Sequence, residues 1–373
     1  MHLRFIFLFL IGFMLYNFWP DVEEKLGIAL IDSIRTEFND LKKNTDLSTL
    51  PNNLEEDINS LVNRSFDEEE NQVENEQTVD VPVLDAPVRQ TFSIANIELG
   101  ETKTKVEEVL GAPSRSSVNE YGTEWYAYHQ NYHNFIMISY NENNKVVGIY
   151  TNQDLISSTT SITHGTPKDQ VLQQLGKPVE KIQKGMVFYQ LQKERDYDLF
   201  QIDNSYVSIF YDKHENNVVT AIQIISESME QQRIDFYSEA SEALKEGFEY
   251  QLFDLTNATR VERGLSALQW DEQVKETARK HSSDMAENNY FSHTNLVGES
   301  PFDRMSNDDI LFSVAGENLA YGQTSSVFAH EGLMNSLGHR ENILKAEFKQ
   351  LGVGVAFNSD SHPYYTQKYY TKR

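Results

Sequence analysis

The sequence predicts an α+β protein with two folded units behind an N-terminal extension. Three observations carry this reading. A pattern of Gly, Val, Leu, Gly and Pro occurs twice in the middle of the chain, 65 residues apart, and strand-like runs follow each copy. Residues 229–373 place helical periodicity first and strand alternation last. At 373 residues the chain exceeds one ordinary domain, and 39% apolar with 12% aromatic content is enough for real cores. The organisation read from these patterns is 1–20, 21–90, 91–228 and 229–373.

Residues 1–20 bear on compartment. Arg4 precedes a run from Phe5 to Trp19 without a single charge, ending at Pro20-Asp21. The bulky Tyr16, Phe18 and Trp19 stand where a small-residue cleavage site would be. The run therefore reads as an uncleaved signal anchor, with residues 5–19 in the membrane and the bulk of the chain extracytoplasmic. The alternative is a removed signal peptide, which would leave the chain secreted. Next, Val22, Leu26, Leu30, Ile34, Phe38 and Leu41 recur at helical steps, as do Leu47, Leu50, Leu54, Ile58 and Leu61, with Pro51 breaking the series. A helical stalk is expected, then an acidic linker: Asp67 to Asp80 holds seven acidic residues and no basic one.

Residues 91–228 carry the repeat: Gly100, Val106, Leu110, Gly111 and Pro113, then Gly165, Val171, Leu175, Gly176 and Pro178. Each copy reads as a short helix stopped by Gly and Pro. Strand runs follow at Trp125–Tyr128, Phe135–Tyr140 and Val146–Tyr150, then at Val187–Tyr189, Tyr206–Tyr211 and Val218–Ile225. A duplicated unit with antiparallel hairpins is expected.

In residues 229–373 helices are expected over Ile234–Arg263, over Asp271–Asn288 with Asp271 as N-cap, and over Val327–Leu337 up to Gly338. Leu351–Phe357 and Tyr364–Tyr370 read as strands.

Composition excludes several functions. A net charge of −25 opposes nucleic acid and anionic lipid surfaces. No cysteine is present, which removes disulfides, thiolate chemistry and cysteine-ligated zinc. His330-Glu331 opens like a zinc-protease helix, but position 334 is Met334, not the required second histidine.

The chemistry-bearing residues lie near the end. His293 stands in Phe291-Ser292-His293-Thr294, Glu317 in Gly316-Glu317-Asn318, and His339 after Gly338, expected just past a helix end. Two imidazoles and a carboxylate form a common ligand set for a divalent ion such as zinc. Equally, a carboxylate fixes a histidine tautomer without metal, or such residues cap helices. Gly316 is expected to let the backbone turn and aim Glu317. Glu331, eight residues before His339, is a further candidate for the same cleft.

These motifs resemble the CAP domains (cysteine-rich secretory protein, antigen 5, pathogenesis-related 1) in their cysteine-free bacterial form. The resemblance runs in order through Leu255-Thr256-Asn257, Leu268-Gln269-Trp270-Asp271, Phe291-Ser292-His293, Gly316-Glu317-Asn318, Gly338-His339-Arg340 with Asn342-Ile343-Leu344, and Tyr364-Tyr365-Thr366-Gln367. The duplicated middle region resembles the module that precedes such domains in Bacillus-type proteins. The resemblance implies a three-layer α-β-α sandwich and a cleft of two histidines and two acids able to hold a divalent ion. The first pair maps on His293 and Glu317. Tyr364 stands where many relatives have the second histidine, and Leu333 where a helix tryptophan is common. Two functions follow: an extracytoplasmic, non-catalytic binding module at a Gram-positive envelope, recognising an envelope protein, glycan or lipid; or a metal-dependent hydrolase with His293 and His339 as ligands and Glu317 as general base.

Overall fold

In the computed structural model, residue 79 and residues 81–373 are described. The anchor segment 5–19 and the stalk helices fall outside the described residues. No helix among the described residues is long and apolar enough to cross a membrane.

The middle module begins with β1 (Phe92–Ile94), α1 (Lys103–Leu110), β2 (Arg115–Val118), β3 (Glu124–Gln130), β4 (His133–Tyr140), β5 (Val146–Thr151) and β6 (Ile156–Ser158). It continues with α2 (Lys168–Leu175), β7 (Lys181–Lys184), β8 (Val187–Gln190), β9 (Tyr197–Ile202), β10 (Ser205–Asp212), β11 (Val218–Ser226) and α3 (Glu227–Gln232). One antiparallel seven-stranded sheet runs β2-β3-β4-β5-β11-β10-β9, so the two copies meet at the β5–β11 pair. Each repeat helix buries one residue, Val106 or Val171, against the sheet, and each stops at a glycine in positive φ, Gly111 or Gly176.

The duplication is less regular than the sequence suggests. β9, not the Val187–Tyr189 run, takes the place equivalent to β3. The Val187–Tyr189 run belongs to a separate hairpin of β7 and β8. Its burial explains the departure: Val187 and Phe188 are exposed, and neither has a core to join.

The last module contains α4 (Glu242–Glu262), β12 (Gln269–Trp270), α5 (Glu272–Asn288), α6 (Pro301–Asn307), β13 (Phe312–Tyr321), α7 (Ser326–Met334), α8 (Leu337–Ile343), β14 (Gln350–Phe357) and β15 (Pro363–Lys372). The sheet order is β12-β14-β15-β13, antiparallel except for β12 beside β14. One face carries Leu351, Val353, Val355, Tyr365 and Tyr369 against Phe248 and Leu252 of α4 and Leu333 of α7. The other face lies against α5, where Gly354 is obligatory: a Cβ there would stand 2.1 Å from the Arg279 backbone nitrogen. This is the α-β-α sandwich, and its fold class agrees with the sequence reading.

Three local expectations are corrected. Helix α4 starts at Glu242, not Ile234, because Ser241 caps it by accepting from Leu244 N. The helix expected over Val327–Leu337 breaks after Met334, and α8 begins at Leu337, so His339 sits inside a helix rather than past one. Gly316 lies within β13 and makes no turn. It is glycine because a Cβ would meet Asn342 Oδ1 and Phe348 at 2.9 Å.

The modules share a core. Trp125, Phe135, Tyr150, Phe210 and Ile225 of the middle module pack with Leu255, Ala258 and Val327 of the last. Burying each such side chain contributes roughly 1.5–3 kcal/mol. Helix α4 runs along β2, and Gly247 makes this possible, since a Cβ would fall 2.0 Å from the Val118 carbonyl oxygen. Gln251 Nε2 donates to that same oxygen at 2.8 Å, and Arg115 pairs with the buried Asp254 at 3.1 Å.

Candidate functional site

Glu317 is the centre. It lies on β13, the edge strand, directly opposite Lys368 of β15. Its side chain is buried, and three groups converge on the carboxylate. Lys368 Nζ lies 2.7 Å from Oε2, Arg304 Nη2 lies 2.8 Å from Oε2 and 3.1 Å from Oε1, and His293 Nδ1 lies 2.9 Å from Oε1. Burial alone would raise the carboxyl pKa. The His293 hydrogen bond and the charges of Lys368 and Arg304 outweigh it and pull the pKa down to about 2. Burial in turn lowers Lys368, against the pull of Glu317.

Local sequence explains the placement. Ser300 caps α6 with Asp303 in a reciprocal capping box, and Pro301 sets the first turn, so Arg304 points from that turn at Glu317. Arg304 Nη1 also donates to the His293 carbonyl at 2.8 Å, which fixes the loop carrying that imidazole. His281 of α5 donates through Nε2 to the Ser292 carbonyl at 3.0 Å and ties down the same loop. Burial lowers its pKa to about 4, so it is neutral near pH 7.

Because Glu317 is ionised it only accepts, so His293 Nδ1 carries the proton and Nε2 faces outward. His339 Nδ1 lies 2.8 Å from Ser336 Oγ, which can donate or accept, and burial followed by the nearby His293 lowers its pKa. Asn318 Nδ2 donates to the His339 carbonyl at 3.0 Å and Asn342 Nδ2 to Asn318 Oδ1 at 2.9 Å, which fastens α8 to β13. Thus His293 and Glu317 touch, His339 lies near enough for His293 to lower its pKa, and both Nε2 atoms are without a hydrogen-bond partner among the described residues.

Two expected members do not join them. Glu331 lies on α7, which ends before α8 starts, so the eight-residue spacing to His339 does not define one helix face. Its carboxyl instead accepts from Tyr150 of the middle module at 2.6 Å. Tyr364 lies four residues along β15 from Lys368, about 13 Å at strand rise. It packs on Tyr321, with ring centroids 4.4 Å apart.

The donor set does not fit the divalent ion that the motifs imply. Catalytic zinc sites take three protein ligands. Here the carboxylate is already satisfied by two cations and an imidazole N–H, leaving two imidazole nitrogens. Among the described residues no group of three or more His, Asp or Glu side chains has the geometry to hold a metal. Sequence reasoning missed Arg304 and Lys368. Lys368 had a signal, since a lysine inside an aromatic, fully buried strand needs a partner.

The chain matches the cysteine-rich secretory protein family over residues 253–369 and a CAP-associated N-terminal module over residues 99–236. It is 30% identical over 327 residues to YlbC of Bacillus subtilis, named an uncharacterized membrane protein, covering 83% of this chain and 92% of that one. It is 41% identical over 125 residues to YkwD of the same organism, named an uncharacterized protein, covering 34% and 48%. A crystal structure described as an extracellular protein containing a SCP domain, from Bacillus anthracis, superposes with TM-score 0.63 at 26% identity over 80% of this chain and all of that one. A cysteine-rich secretory protein from Staphylococcus aureus shares the fold, with TM-score 0.57 at 14% identity over 74% of this chain and 91% of that one.

Proposed function

Because the chain belongs to the cysteine-rich secretory protein family and carries that family's associated N-terminal module, we propose that it is a membrane-anchored, non-catalytic binding module working outside the cell. The extracytoplasmic reading is supported by the charge-free run Phe5–Trp19, by a full-length relative named a membrane protein, and by a structural relative described as extracellular. Its partner is a component of the cell envelope: a protein, glycan or lipid.

One observation carries the non-catalytic half of the reading, the state of Glu317. A general base works best with a pKa near the working pH. A carboxyl held at about 2 by Lys368, Arg304 and His293 has little basicity to offer a water molecule. The same cations oppose the approach of a divalent ion. The hydrolase reading therefore loses both its base and its third metal ligand. What is left is a polar site whose two imidazoles have unpartnered Nε2 atoms, suited to hydrogen-bonding a ligand.

Calorimetry with zinc on the full chain, wild type beside His293→Ala/His339→Ala, tests this. The expected result is no stoichiometric zinc binding at micromolar concentration in either protein. Tight one-to-one zinc binding that the double variant abolishes would overturn the reading. Protease treatment of intact cells, with fractionation, tests the compartment: the chain is expected in the membrane fraction and open to external protease.

A further inference from the structure

The turn of the β7–β8 hairpin is apolar and faces water. Among the described residues no large apolar side chain is more exposed than Met186, at 95%, and Val187 and Phe188 follow it at 53% each. Ile234, 81% exposed, lies beside the same strand, since the Tyr189 hydroxyl donates to its carbonyl at 3.4 Å. Apolar side chains scattered singly need no explanation, but a group of them at one turn marks a place of contact. The hairpin is held out by design of its inner face. Ile182 packs with Leu191, Leu199 and Tyr206. The buried Lys184 pairs with Glu230 at 2.8 Å and donates to the Arg233 carbonyl at 2.7 Å, and Gln231 Nε2 donates to the Gln183 carbonyl at 2.8 Å. The body of the module therefore presents the turn instead of folding it away.

The charge around this turn runs against the rest of the chain. Residues 177–195 contain Lys177, Lys181, Lys184, Lys193 and Arg195 against Glu180 and Glu194, a net +3 in a chain of −25. Glu180 is taken by Lys177 at 2.8 Å. Lys181 and Lys193 are exposed and form no ion pair among the described residues, and Arg195 donates only to backbone carbonyls. Charges at a surface are screened beyond about 8 Å at physiological salt, so the local sign and not the net charge governs what this turn meets. Lys181 stands at the open end of the hairpin, three strand steps or about 10 Å from Lys184 at the turn. Its Nζ lies 4.1 Å from the centre of the Phe188 ring, so its stem follows the apolar surface and its charge sits above it.

We propose that the β7–β8 hairpin docks on an anionic lipid surface, with Met186, Val187 and Phe188 entering the boundary between headgroups and acyl chains and Lys181 and Lys193 meeting the headgroups. An apolar tip with unpaired cations set about 10 Å behind it repeats the order of a bilayer, and interfacial segments bury their apolar side chains about 5–10 Å deep. The two strands pair with each other along their whole length, which lowers the cost of bringing their backbone to that depth. The inference rests in part on the membrane-anchored reading: a chain of net charge −25 gains little from bulk attraction to such a surface, whereas an anchor keeps the bilayer at high effective concentration.

The chain has no cysteine, so Met186→Cys takes a single environment-sensitive dye in the full chain, and Val109→Cys on the exposed face of α1 is the control. Both are reconstituted into phosphatidylcholine vesicles with and without roughly 30% phosphatidylglycerol. Expected at residue 186 alone, and on the anionic vesicles, are a blue shift, a rise in emission of about twofold or more, and quenching by brominated acyl chains. Lys181→Glu/Lys193→Glu, which breaks no ion pair, should remove the effect. A dye at residue 186 that stays in water, equal signals at both positions, or a signal indifferent to lipid charge and to the double variant would each overturn the inference. So would a signal that grows with the density of protein in the vesicles, which would give the patch to a second copy of the chain. Flotation with phosphatidylcholine vesicles reads the anchor separately: a chain that floats while residue 186 stays in water loses the hairpin inference and keeps the anchor, and the converse result does the opposite.

Discussion

Lys368 and Glu317 define the chemistry at the residue scale. Two buried opposite charges face each other across adjacent strands, and Arg304 supplies a third. Removing one partner leaves an uncompensated charge in the interior, which costs about 3–5 kcal/mol. Glu317→Gln is therefore expected to lose that much stability in urea melts. Adding Lys368→Met should recover only part of it, because the buried Arg304 guanidinium still lacks its carboxylate. A catalytic carboxylate would behave otherwise, since its removal often spares or raises stability.

The site was partly legible in the sequence. His293, Glu317 and His339 stand in turn-rich or glycine-flanked motifs; the structure puts His293 in contact with Glu317 and His339 near His293. Spacing draws in Glu331 and resemblance to the family draws in Tyr364, and tertiary structure separates them: a helix break for one, four strand residues for the other. Of the two cations, Lys368 showed only as a charge within an aromatic strand, and Arg304 carried no local motif, since its partner depends on where its helix docks.

At the scale of elements, glycine decides how closely layers approach. Gly354 on β14 lies under α5 with backbone 2.1 Å from where a Cβ would be, so Gly354→Ala must push the helix away. A loss of about 3 kcal/mol is expected, at the upper end of ordinary overpacking. Gly332 on α7 is the control. Nothing lies within 4 Å of its virtual Cβ, so Gly332→Ala should be neutral or stabilise by up to about 1 kcal/mol. Thermal melts of both variants check the contrast. The alternation of glycine with valine in Leu351–Phe357 was readable as a strand, yet its purpose was not, because periodicity shows which face is small and not what approaches it. The repeat was readable for the same reason: Gly111 and Gly176 end equivalent helices through their own backbone conformation. The β7–β8 hairpin was misassigned because a short aromatic run looks alike inside a sheet and outside it.

For the whole molecule, the junction between modules sets the response to acid. Burial raises Glu331 and Glu120 to about 7 and Asp254 to about 6. A carboxyl raised in the folded state contributes stability that is complete below its unfolded pKa near 4.5 and fades as pH climbs through the folded value. Stability should therefore decline between about pH 4.5 and 7, then flatten. Glu317, depressed to about 2, acts oppositely and only in acid, losing its contribution as pH falls from about 4.5. Urea melts from pH 5 to 8 should show the decline, and Glu331→Gln should reduce it by up to about 3 kcal/mol at pH 8.

Helix α4 does a second service where it lies along β2. A strand at the margin of a sheet offers its amides and carbonyls to any other extended chain, and proteins that leave such margins bare tend to polymerise. Here Gln251 occupies the Val118 carbonyl, and Gly247 brings a whole helical backbone down on the rim. The last module thus acts as a shield for the one before it, and a cell that made the repeat without its partner would be making a sticky fragment.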